Sequence, residues 1–161
     1  NVSCVMTIYL ASDHAGFELK EKLKKFLEGP GYEIEDCGAF SFDQDDDYPK
    51  FVKLAAKGVA EDPERRKAIV IGGSGQGEAM VANRYRGVRA AVWYGPSAAE
   101  AKEGNDLFRI IKLSREHNDA NVLSLGARFV KEDEAMKAVE LWLRTPFSHE
   151  KRHERRLDLF S

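Results

Sequence analysis

Lys67-Ala-Ile-Val-Ile71, then Gly72-Gly-Ser-Gly-Gln-Gly-Glu78, then Ala79-Met-Val-Ala-Asn-Arg84 read in succession as a strand, a tight loop and a helix. Four glycines in the loop let the backbone turn sharply and let a ligand approach the main chain. The loop feeds a helix start, whose N–H groups and dipole favour anions. Two well-known glycine loops fail on side chains. Gly72 and Gly77 have the Walker separation, but Glu78-Ala79 stand where Lys-Ser/Thr is required. A dinucleotide fingerprint would need glycine or alanine at Glu78 or Met80. A purely structural turn is the plain alternative. Against it stands Glu78, a carboxylate beside anion-favouring amides, which suits a base whose product charge those amides hold.

Outward from this stretch, strands and helices alternate. Val5–Ala11 is β-rich, and Ser12-Asp13-His14-Ala15-Gly16 turns into a helix with Ala15, Leu19, Leu23, Phe26 and Leu27 on one face. Asp13 reads as an N-cap, and His14 at the same helix start can donate to an anion. Gly29-Pro30-Gly31 ends that helix and Tyr32–Cys37 is a second strand. The acidic loop Phe42–Asp47 lacks calcium-loop spacing. It reads as solvated, with Asp47 an N-cap, Tyr48 a pocket candidate, Pro49 the first helical residue and a helix over Lys50–Glu61.

Val88–Trp93 is the fourth strand, and residues 94–112 form a mixed connection that suits a lid or a subunit contact. The polar run Ser114–Asn121 leads into a strand over Val122–Leu125, and a helix over Lys131–Arg144 follows Gly126-Ala-Arg128. Its His117-Asn118 pair suits either capping or an acid/base with a hydroxyl anchor. The alternation predicts an α/β fold: a Rossmann-like three-layer arrangement with a five-stranded parallel sheet flanked by helices, plus a C-terminal helix. In such a sheet Asp13, His14 and the Gly72–Glu78 loop share the carboxyl rim, where ligands bind.

The composition fits one soluble domain over residues 1–161, with 43% hydrophobic and 32% charged residues and a formal net charge of −2, which argues against a nucleic-acid binder. No membrane-spanning run or secretory pattern is visible. Cys4 and Cys37 have no metal or redox spacing; a single chance disulfide is the alternative to the reduced, cytoplasmic protein this favours. The tail Ser148–Arg156 reads as a charged helix. Its His149 and His153 match H-E-x-x-H in letters, but Lys151 and Arg152 between them repel a cation. Arg152 and Arg156, one turn apart, suit an anion clamp or a solvated basic face.

Four motifs in this order, Ser12–Gly16, Gly72–Glu78 with Ala82-Asn83, Arg115–Val122 and Arg152-His-x-x-Arg156, resemble the ribose-5-phosphate isomerase B family, which includes galactose-6-phosphate and allose-6-phosphate isomerases. The resemblance covers nearly the whole chain. It implies an aldose–ketose isomerase without metal or cofactor, acting on a phosphorylated sugar. It also implies a homodimer or tetramer with shared active sites. By the same resemblance Glu78 is the base where other members place a cysteine at the position of Gly72. Ser74 assists proton movement between oxygens, and the amides near Gly73, Gly75 and Gly77 hold the enediolate. His117, with Asp13 as a possible partner, opens the sugar ring. His14, Arg152 and Arg156 bind phosphate, His153 and Arg128 lie near the rim, and Tyr48 and Asn118 contact hydroxyls. A six-carbon sugar phosphate such as allose 6-phosphate is the alternative substrate, and a non-catalytic sugar-phosphate sensor the alternative function.

Overall fold

The computed structural model describes residues 5–97, 99 and 106–160. Alternation along the strands sorts its core into two layers. In β1 (Thr7–Ser12), Ile8 and Leu10 face one side of the sheet, and Tyr9 and Ala11 face the other. In β3 (Arg66–Gly72), Ile69 and Ile71 oppose Ala68 and Val70 in the same way. The large side chains pack against Leu23 and Leu27 of α1 (Phe17–Glu28) and Val139 and Trp142 of a later helix. The smaller ones meet Val52, Ala55, Ala56 and Val59 of α2 (Tyr48–Glu61).

With β2 (Glu33–Asp36), β4 (Ala90–Trp93) and β5 (Val122–Gly126), the strands form one parallel sheet in the order β2-β1-β3-β5-β4. α1, α4 (Arg109–Glu116) and α5 (Glu132–Arg144) cover one face; α2 and α3 (Gln76–Ala82) cover the other. α6 (Lys151–Leu157) is the C-terminal helix. From β1 the chain moves to β2 on one side and then to β3 on the other, so the crevice between the ends of β1 and β3 is the switch point where ligands bind in open α/β sheets. The expected three-layer fold is the observed one. None of the described helices is long and apolar enough to cross a membrane.

Several local expectations need correction. His14–Gly16 form a separate 3-10 turn, so the phase of α1 starts at Phe17; Lys20, Leu23 and Leu27 face inward while Phe26 is 37% exposed. Lys20 is buried because Asp36 of β2 accepts from its Nζ at 2.8 and 2.9 Å. Pro49 is the second residue of α2, not the first, and the Asp47 side chain pairs with Lys50 at 3.2 Å instead of capping. α4 begins inside the segment expected to be a mixed connection, and it takes in Ser114, Arg115 and Glu116. The lid expected within 94–112 falls in part on residues 98 and 100–105, outside the described residues.

Candidate active site

Asp13 leaves β1 and caps the 3-10 turn, its Oδ1 accepting from the amides of Ala15 at 3.0 Å and Gly16 at 3.3 Å. This fixes the carboxyl, 8% exposed, at the carboxyl rim. His14 follows it, and its Nδ1 lies 2.7 Å from Asp46 Oδ1, which also accepts from the His14 backbone N–H at 3.0 Å. That hydrogen bond is the main reason the His14 pKa is raised. Partial desolvation opposes it, Asp13 adds to it, and Arg128 works against it.

The glycine loop is held by its carbonyls. Ala127 N–H donates to Gly72 O at 2.8 Å, Arg128 N–H to Gly73 O at 3.1 Å, and the buried Ser124 hydroxyl to Gly75 O at 2.6 Å. In a trans peptide the N–H points opposite to the carbonyl, so the amides of Gly73 and Ser74 face away from the 126–128 segment. Gly75 adopts φ +78, which favours glycine, and starts α3. Ser74 Oγ accepts from Gln76 N–H at 3.3 Å.

Glu78, in the first turn of α3, bends back under this loop and is 4% exposed. A Cβ built at Gly72 would fall on its carboxyl, so residue 72 is glycine because the carboxyl occupies the side-chain space there. Burial raises the Glu78 pKa, a hydrogen bond from its own backbone N–H partly offsets this, and Asp13 adds to the rise. The Tyr48 hydroxyl reaches Gly77, where an added Cβ would meet it, and the Arg128 guanidinium lies over Gly73. Asp13, His14, Tyr48, Gly73, Ser74, Gly75, Gly77, Glu78 and Arg128 therefore form one group.

The other expected site residues lie elsewhere. His117 and Asn118 end α4 just before β5, at the amino rim. β5 alone spans about 13 Å between the two rims at a rise of roughly 3.3 Å per residue. The His117 ring packs on His153 of α6 at 4.2 Å between centroids. His153 is 2% exposed, with Nδ1 2.9 Å from Ser148 Oγ. Its pKa is lowered, first by burial and then by His117. His153, expected near the rim, is buried and backs His117. Arg152 and Arg156 are exposed, and Arg152 Nε donates to Glu150 at 2.8 Å. A cavity of about 1060 Å³ opens beside this group, between the Asn83–Ala91 corner and Asn118, Leu157 and Phe160. Asp13 and His117, the suggested partners in ring opening, belong to opposite rims of one chain.

Two sequence cues resolve differently. His149 stands outside α6, exposed, with Nδ1 at 3.4 Å from Glu154, so the H-E-x-x-H letters do not lie on one helix. Among the described residues the compact His/Asp group is Asp13, His14 and Asp46, with ligand atoms within 4.8 Å of one another. There Asp13 Oδ1 and Asp46 Oδ1 are already engaged by amides and by His14. Asp46 is the site residue that the sequence reading missed. The available signal was Asp43, whose side chain and carbonyl accept from the amides of Asp45 and Asp46 and so reverse the chain. Cys37 is buried, its thiol pKa pushed up to about 11 mainly by desolvation; Cys4 lies outside the described residues.

Residues 8–160 match the family described as Ribose/Galactose Isomerase. A ribose-5-phosphate isomerase B of Mycolicibacterium paratuberculosis is 42% identical over 156 residues, 97% of this chain and 90% of that protein. The crystal structure of ribose-5-phosphate isomerase B from Mycoplasma genitalium with bound ribulose-5-phosphate is similar with a TM-score of 0.84 and 36% identity, covering 94% of this chain and 91% of that one. A 4-deoxy-4-sulfo-D-erythrose isomerase of a Clostridium species is 34% identical over 143 residues, 89% of this chain and 82% of that protein.

Proposed function

The chain belongs to the ribose/galactose isomerase family, and from that premise we propose that it interconverts ribose 5-phosphate and ribulose 5-phosphate with Glu78 as the base. The observation that carries this reading is the Glu78 carboxyl, buried against Gly72 beside Asp13, with a pKa moved toward the range a general base needs. The aldose ring opens, Glu78 takes the C2 proton, and the electrons of that bond form a cis-enediolate. Glu78 returns the proton to C1 while Ser74 helps exchange the hydroxyl proton between O1 and O2. The amides near Gly73, Gly75 and Gly77 hold the enediolate charge, so the scheme needs no metal.

Ring opening is assigned to His117, phosphate binding to Arg152 and Arg156, and a hydroxyl contact to Asn118, all of a second copy. Their position at the opposite rim of the same chain supports a homodimer, alone or paired into a tetramer, with each site shared between two subunits. Tyr48 is assigned to the sugar hydroxyls, and His14 and Arg128 to the anionic end.

The test is an isomerase assay in the presence of EDTA, with ribose 5-phosphate, allose 6-phosphate and 4-deoxy-4-sulfo-D-erythrose compared by kcat/KM. Ribose 5-phosphate is expected to lead, with turnover unchanged by the chelator. Binding without exchange of the C2 proton into heavy water would instead identify a sensor.

A further inference from the structure

We propose that Asp46 is a positioning residue for His14: one of its carboxylate oxygens grips both the Nδ1 and the backbone N–H of His14, leaving Nε2–H as the donor offered to the anionic end of the sugar. This rests on the reading of the carboxyl rim as a sugar-phosphate site. Asp46 stands in an acidic run, yet Asp43, Asp45 and Asp47 are exposed while the Asp46 side chain is only 7% exposed. The turn made by Asp43 sends it inward. Its Oδ1 is shared by two donors of one residue, at 2.7 and 3.0 Å, which fixes the ring as well as the backbone.

The second oxygen, Oδ2, is buried with no hydrogen-bond partner among the described residues. A carboxylate kept out of water with one oxygen unpaired is a poor stabilising device. It is an effective electrostatic one, because its charge sits 2.7 Å from the adjacent imidazole nitrogen. The Phe42 ring, edge-on at 6.1 Å, packs beside the same imidazole. The charged groups facing His14 are Asp46 and Asp13, which favour the imidazolium, and Arg128, which opposes it. Asp46 thus favours the imidazolium of His14 and aims its ring, the form that binds a phosphate or sulfonate group.

Asp46→Asn keeps the shape and an acceptor but removes the charge. The nitrogen-15 titration of His14, followed by NMR in the unliganded protein, is expected to move its midpoint down in this variant. KM for ribose 5-phosphate should rise about tenfold, with kcat within about twofold of the parent, the scale of one charge-assisted contact. In a His14→Gln background the same substitution should add no further loss. An unchanged His14 titration, or a full KM penalty in that background, would overturn the proposal. If Asp46→Asn does not fold, the parent protein decides: a His14 midpoint at or below the ordinary histidine value contradicts it, and a raised one with Nδ1 hydrogen-bonded supports it. The titration needs no substrate, so failure to turn over ribose 5-phosphate would refute the proposed reaction while leaving the Asp46–His14 coupling separately tested.

Discussion

At the carboxyl rim the central titratable groups are acids held out of water, Asp13 and Glu78; at the amino rim they are cations facing it, Arg152 and Arg156, set around a buried His153. The first group is assembled by the backbone. Strand ends, a cap and three clamped carbonyls fix it before any ligand arrives. The second is an exposed surface, with His117 braced from behind by His153 and Ser148. Under the proposed shared site, the difference is a division of labour: burial tunes the proposed base, where proton transfer depends on pKa, and exposure suits the proposed anion clamp, where a long side chain must reach another molecule.

The comparison is broken most sharply at Glu78. Glu78→Gln should lower kcat by about 10³-fold while a phosphate-bearing competitive inhibitor still binds, checked by steady-state kinetics and calorimetry. The same variant should be slightly more stable at neutral pH. A carboxyl whose pKa is raised on folding binds more protons in the native state, so it contributes stability at low pH and loses it as pH rises through the folded pKa. The gain in Tm over the parent should therefore vanish in acid. In the parent, the acid limb of the kcat/KM profile should lie above the ordinary glutamate range.

Gly72→Ala comes next. Its Cβ would fall on the Glu78 carboxyl, and displacing the base should lower kcat by about 10²-fold with a fall in Tm. Arg152→Ala and Arg156→Ala each probe the exposed clamp and should raise KM about tenfold with little effect on kcat or Tm. The smallest effect belongs to Cys37. Burial holds its thiol largely protonated, so Cys37→Ser should retain near-parent activity, and iodoacetamide should cause no substrate-protectable inactivation through Cys37.

What the chain discloses in one dimension follows the range of the forces involved. The β3 strand, its glycine loop and the helix after it are legible because strand propensity, turn chemistry and helix start all act within a few residues of Gly72–Glu78. Asp13 is legible as a cap for the same reason, its acceptors being Ala15 and Gly16. Phe26 misled because a 3-10 turn at His14–Gly16 resets the helical phase, a shift that composition does not encode. The burial of Asp46 and of His153 was hidden by their neighbours. Each sits in a charged run that reads as solvated, and each packs on a partner more than 30 residues away in sequence, His14 for one and His117 for the other. The placement of His117 opposite Glu78 follows only from the parallel register of β3 and β5.

The claim that two rims from different subunits make one site is tested most directly by complementation. Glu78→Gln and His117→Ala, each inactive alone, are mixed under conditions that exchange subunits. If the sites are shared, each mixed dimer regains one intact site, and activity should recover to about a quarter of the parent's at equal mixing. No recovery, with subunit exchange verified by mass, would contradict the account and would require both halves to act within a single chain.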